Sequence, residues 1–130
     1  DLCRTVLSAI HAVDEDLLFV PVDPALYEIA RDSPVPVVME GYVDLDYDED
    51  GHVVVPDGRN PGLDPEIVAE RFVRIAVEGE VETRSGEVVD LPAETVCVHG
   101  DNPNAVAVLE RIHERAAAAG VDIVPMTELV

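Results

Sequence analysis

Apolar residues recur at positions 2, 3, 6, 7, 10 and 13, a stripe along one side of a helix, and Asp14-Glu15-Asp16 closes that helix with charge. Residues 17–22 form a short continuous apolar run, the pattern of a buried parallel strand. Asp23-Pro24 then reads as a cap followed by a proline at the first helical position, opening a short helix over 25–31. A second apolar run, 35–39, predicts the next strand and places Glu40 at its carboxyl end. From 41 to 62 the pattern changes to a long acidic connection, in which 53–55 reads as a short returning strand after an Asp50-Gly51 turn. Asp64-Pro65 repeats the cap-and-proline start; Ile67, Val68, Phe72, Ile75 and Ala76 share one side of the helix that follows, and Gly79 ends it. Residues 80–83 and 88–91 flank Ser85-Gly86 as a small surface hairpin. The β-branched run 95–99 is a further strand. Gly100 permits a turn there, Asn102 reads as a cap and Pro103 as the start of a helix that continues over 105–119 to Gly120. Residues 121–125 are the last apolar run of strand type.

Helices alternating with strands in this way predict an α/β fold, with a parallel sheet covered by helices, in one domain over 1–130. About four strands in a helix-first order look like the second part of a larger α/β barrel or sheet. The chain opens on Asp1 rather than Met, so it is expected to begin inside a longer sequence.

Composition narrows the function classes. A formal charge of −20 would be repelled by a nucleic-acid backbone or an anionic membrane surface, and neither is an expected partner. No apolar run approaches the roughly 18 residues of a membrane span, and no signal peptide pattern opens the chain; a cytoplasmic protein is expected. All eight basic residues are Arg. A surface rich in Asp and Glu and without Lys repels itself unless salt screens it, which points to a halophilic source. Cys3 and Cys97 read as free thiols, and no zinc-type cysteine spacing occurs.

The candidate chemistry lies at the carboxyl ends of the predicted strands, where α/β sheets bind ligands. Asp23 follows the first strand, Glu40 and Asp44 the second, and His99 and Asp101 the third. Carboxylates and an imidazole at one edge make an acid/base site or a metal site, although Asp23 is adequately explained as a helix cap. Asp46, Asp48, Asp50, Gly51 and Asp57 have the spacing of an EF-hand loop. The strand-like flanks, Pro56 and an Asp at the twelfth position argue against calcium. His11, His52 and His113 read as solvated or partly packed side chains.

Glu40-Gly41-Tyr42-Val43-Asp44, then Tyr47 and Asp50-Gly51, then Cys97-Val98-His99-Gly100-Asp101-Asn102-Pro103-Asn104-Ala105-Val106, resemble the carboxy-terminal half of the LamB/YcsF family, over essentially the whole chain. The resemblance implies an incomplete seven-stranded α/β barrel and an ATP-dependent opening of the 5-oxoproline lactam to glutamate, carried out with B and C subunits. It implies His99 and Asp101 as proton-transferring or substrate-orienting groups, Glu40 and Asp44 as the acids opposite, and Gly100 and Asn102 as substrate contacts. ATP would act through the assembled enzyme, and a divalent metal is compatible with the chemistry. Tyr42-Val43 stands where the family has Phe-Ala, and Leu45 where it has Arg; this keeps open a divergent hydrolase acting on another amide or on a carbohydrate. The family's amino-terminal motifs are absent, so a truncated or split chain that needs another half is the remaining alternative.

Overall fold

The computed structural model describes residues 2–58 and 60–130; Asp1, and Arg59 of the long acidic connection, lie outside them. Four α-helices form over the stripes that predict them, the last without the predicted Asn102 cap. They are α1 (Leu2–Val13), α2 (Pro24–Ala30), α3 (Pro65–Glu78) and α4 (Ala105–Ala119). Asp23 caps α2 by accepting from the backbone N–H groups of Ala25 and Leu26, and Asp64 caps α3 through Glu66. Gly79 and Gly120 end α3 and α4 in the left-handed conformation that only glycine adopts without strain.

The strands are shorter than the apolar runs that suggested them. β1 (Glu40–Tyr42) pairs in parallel with β6 (Thr95–Cys97), with Glu40 opposite Thr95 and Tyr42 opposite Cys97. β2 (Asp46–Tyr47) and β3 (Val53–Val54) form one antiparallel hairpin, β4 (Glu80–Glu82) and β5 (Val88–Asp90) another. The fold is thus mixed α/β with a parallel pair at its centre.

Three predicted strands fail as regular strands. Residues 17–22 and 35–39 run side by side but form a single regular bridge, Phe19 with Val37. Pro21, Pro34 and Pro36 explain this, because none has an N–H to donate to a ladder. The regular strand starts after them, so Glu40 opens β1 instead of trailing a strand. Residues 121–125 are not a strand at all: the Val121 N–H bonds back to Ala116 O at 2.9 Å as part of the α4 cap, and 122–124 are exposed.

The main core lies between α3, α4 and the strands. Val68, Ala69, Phe72 and Ile75 of α3 meet Val108, Ile112 and Ala116 of α4, with Met39, Val43 and Tyr47 beneath. Burial of this apolar surface is the main favourable term in folding. The β4–β5 hairpin belongs to that core, since Val81 and the adjoining Leu91 are fully buried; it is not the surface feature its turn suggested. A smaller cluster joins α1 and α2 through Leu7, Ala30 and Val35. Gly41 lets β1 approach closely, as a Cβ there would stand 3.1 Å from Ala93 Cβ. No helix among the described residues is long and apolar enough to cross a membrane.

Candidate active site

Past Tyr42 the chain leaves the β1–β6 ladder and turns, and that turn carries Asp44 into the interior. Its side chain is fully buried, which is unfavourable for a carboxylate unless donors surround it. Four do. His99 Nδ1 lies 2.8 Å from Oδ1, and the His99 backbone N–H donates to Oδ2 at 2.9 Å. The side-chain amides of Asn102 and Asn60 donate to Oδ2 at 3.1 and 3.5 Å. Burial acts to raise the Asp44 carboxyl, and the hydrogen bonds from His99 and Asn102 overcome it, so its pKa falls below the ordinary 3.8.

An ionised carboxylate only accepts, so the contact at Nδ1 requires the proton there, and in the neutral imidazole Nε2 then carries the lone pair. The His99 side chain is 31% exposed, so part of the ring is open to solvent. The Tyr42 ring stands edge-on to the imidazole, with centroids 4.9 Å apart, and restricts its orientation. Tyr42 is fixed in turn: its backbone N–H donates to the hydroxyl of buried Tyr47 at 2.6 Å. Burial pushes that hydroxyl up to about 12.

Glu40 couples electrostatically to His99, but burial dominates and raises its carboxyl pKa. Cys97 is raised by burial and by the charges of Glu40 and Asp44, so its thiol keeps its proton and is a poor nucleophile. The arrangement is an imidazole whose Nδ1 is held by a buried carboxylate, with a second acid of raised pKa in its electrostatic field, a set of groups chemically capable of moving protons.

Of the residues predicted from sequence, the structure brings Glu40, Asp44, His99 and Asn102 together. Asp101 is exposed and forms no hydrogen bond or ion pair with a described residue. Gly100 has no positive φ, and a Cβ there would meet nothing, so the turn does not require glycine. Asn102 does not cap α4, which begins at Ala105 after Asn104; its Oδ1 accepts from the Asn104 N–H at 2.9 Å while its amide is committed to Asp44. Sequence reasoning missed Asn60, Tyr42 as a wall, and Arg71. It also missed Gly62, which at φ +73° lies directly against Pro103. A glycine followed by Leu63 and a cap was the only signal for the last, and it does not specify a distant contact.

The EF-hand-like acids fold as the β2–β3 hairpin. Asp46 pairs with Arg71 and Arg84, and Asp48 accepts from the N–H groups of Asp50 and His52 within the turn. Asp48, Asp50 and His52 are the one group of three or more closely spaced metal-ligand types among the described residues, and neither Asp44 nor His99 belongs to it. At the site itself both Asp44 oxygens are occupied by N–H donors, so the described residues do not supply a metal centre there.

As expected from acid linkage, Asp44→Asn destabilises the fold at pH 7 by about 2 kcal/mol, the scale of hydrogen bonds to a buried charge. The native carboxyl pKa is lowered, so its contribution is fully present above the ordinary 3.8 and is lost as pH falls through the lower native value. Urea unfolding at fixed salt should therefore show the wild-type advantage shrinking below about pH 4; a constant gap refutes the assignment of the carboxylate.

The Asp44–His99 pair follows the carboxyl ends of the parallel strands β1 and β6 in a mixed α/β fold, the edge at which such sheets bind ligands. The particular family is shown by comparison: the LamB/YcsF family profile matches residues 1–130, and the chain belongs to that family. It is 39% identical to a protein of Pyrococcus horikoshii named as the A subunit of 5-oxoprolinase, over all of this chain and 52% of that one. A Pyrococcus furiosus protein of the same name is 37% identical over the same shares. The crystal structure of a lactam utilization protein from Thermus thermophilus superimposes with a TM-score of 0.76 at 31% identity, covering 93% of this chain and 49% of that one. The chain thus spans about half the length of the relatives it matches.

Proposed function

We propose that this chain is part of the A component of an ATP-dependent 5-oxoprolinase, opening the 5-oxoproline lactam to glutamate with B and C components. The observation that carries the reading is the Asp44–His99 pair at 2.8 Å, in a chain whose relatives are named for that activity. His99 Nε2 takes a proton from the water that attacks the lactam carbonyl, while Asp44 stabilises the imidazolium that forms. The C–O bond forms, the ring C–N bond breaks, and the departing nitrogen takes its proton from Glu40, whose carboxyl retains one to higher pH than usual. ATP enters through the assembled holoenzyme, where its hydrolysis by a second water to ADP and phosphate accompanies the opening. Asn102 and Gly100 line the turn beside His99, and Asp101 meets substrate or partner from solvent.

In this reading β1, β6 and the 19–21 segment belong to a seven-stranded barrel. Its other strands come from the polypeptide equivalent to the remaining half of the relatives. The assembly works in the cytoplasm of an organism that keeps concentrated salt, which screens the −20 charge.

The test is reconstitution. This chain is produced with B and C components and the complementary half-length polypeptide, and glutamate is measured from 5-oxoproline and from other lactams. Glutamate formation that requires this chain and ATP supports the reading. A folded assembly that leaves 5-oxoproline intact, or that cleaves another amide instead, overturns it.

A further inference from the structure

We infer that Arg71 is a positioning residue that aims Asp44 at His99 by gripping the backbone on both sides of it. The inference rests on the reading of Asp44 and His99 as the proton-transferring pair. From α3, Arg71 Nη1 donates to the carbonyl of Val43 at 3.1 Å and also to the carbonyl of Leu45. Its Nη2 pairs with Asp46 Oδ1 at 3.2 Å. The two carbonyls flank Asp44 in sequence.

The segment needs such a grip because no ladder holds it. β1 ends at Tyr42, and among the described residues its backbone continues toward β6 only through a long 3.4 Å bond from Val43 N to Cys97 O. β2 begins only at Asp46. Among the described residues, Arg71 is the side chain that bridges the gap, and at 15% exposure it is too sheltered to be a freely solvated surface arginine. Arg84, from the β4–β5 turn, holds the other Asp46 oxygen at 3.3 Å, so the end of the gripped segment is fixed as well. A planar guanidinium suits this task, since its fork of donors reaches three acceptors in set directions, which a single ammonium cannot do.

The charged and titratable groups around Asp44 are Glu40 and Tyr42 on β1, Cys97 on β6 with His99 beyond it, and Asp46 with Arg71 on the far side. Releasing the grip lengthens the bonds that His99 and Asn102 make to Asp44 and frees the imidazole to turn.

The experiment compares Arg71→Lys and Arg71→Met, alone and combined with Asp44→Asn, in the assembled enzyme. Each single Arg71 variant should lower kcat roughly ten- to a hundredfold, the scale of a misplaced catalytic group, with little change in KM. Added to Asp44→Asn, either should lower kcat less than about twofold further, because the group it aims is already gone. Multiplicative losses mean a merely structural role and overturn the inference. A second readout is independent of turnover: the His99 Nδ1 proton, observed by nitrogen-edited NMR in folded protein of matched circular dichroism. It should be sharp and downfield in wild type, and broadened or shifted upfield in Arg71→Lys. An unchanged signal also overturns the inference. An assembly without 5-oxoprolinase activity but with the NMR change would defeat the proposed function and leave the positioning role standing.

Discussion

Replacing His99 with Ala in the reconstituted assembly is expected to lower ATP-linked glutamate formation by roughly 10²- to 10⁴-fold, the range a positioned general base contributes. The substitution removes Nε2, the nitrogen that receives the proton, and Nδ1, which holds the tautomer through Asp44. It leaves the His99 backbone N–H, which still donates to Asp44 Oδ2, and the amides of Asn102 and Asn60. Asp44 therefore keeps most of its donors, and the fold should survive. Because the imidazole acts on the transition state more than on bound lactam, the loss should appear in kcat while KM for 5-oxoproline changes little. Initial rates of glutamate release at saturating ATP decide the matter, and turnover within a few-fold of wild type would remove His99 from the chemistry.

The second large effect concerns Gly62. Gly62→Ala is expected to destabilise the fold by about 2–4 kcal/mol, through a strained backbone and an overpacked contact together. At φ +73°, a Cβ would lie 2.6 Å from Pro103 Cγ and 3.0 Å from Pro103 Cδ. A proline ring has no flexible end to swing away. Gly58 is the control: its φ is +104°, but nothing lies within 4 Å of a Cβ there. Gly58→Ala should then show the backbone cost without the clash. The contact matters for the site because Gly62 N–H donates to Asn60 Oδ1 and Asn104 donates to Leu63 O, tying the long connection to the turn that holds Asn102. Displacing Gly62 should loosen both amides that reach Asp44 and lower activity along with the urea midpoint. Equal midpoints for the two variants would show that the Pro103 contact carries no strain.

The two glycines illustrate what can be read from one chain. Helix ends were legible because their signals are local: Asp23-Pro24, Asp64-Pro65, Gly79 and Gly120 act within one turn of themselves. Apolar runs were half legible. They report burial, and residues 35–39 are largely buried, but a ladder also needs N–H donors that Pro36 lacks and a neighbouring strand that 121–125 does not have. At the site, His99 and Asp44 stood out by residue type and by their place near strand ends. Asp101 carried the same signal, yet its carboxylate faces solvent. Arg71, Asn60 and Gly62 act through contacts that reach 16 to 41 residues along the chain, as in Arg71 to Val43, Asn60 to Asp44, and Leu63 to Asn104. No periodicity encodes such distances.

The parallel pairing of β1 with β6 has a consequence for the order in which the protein folds. Asp44 and His99 are 55 residues apart in sequence, and α3 and the β4–β5 hairpin lie between them. Helices and hairpins form from near neighbours in microseconds, whereas closing so long a loop costs entropy that only the finished core offsets. The Asp44–His99 contact is therefore among the last to be made. A chain that has acquired its helices but not its β1–β6 register lacks that contact, and the His99 Nδ1 proton should appear during refolding only after the helical signal has recovered.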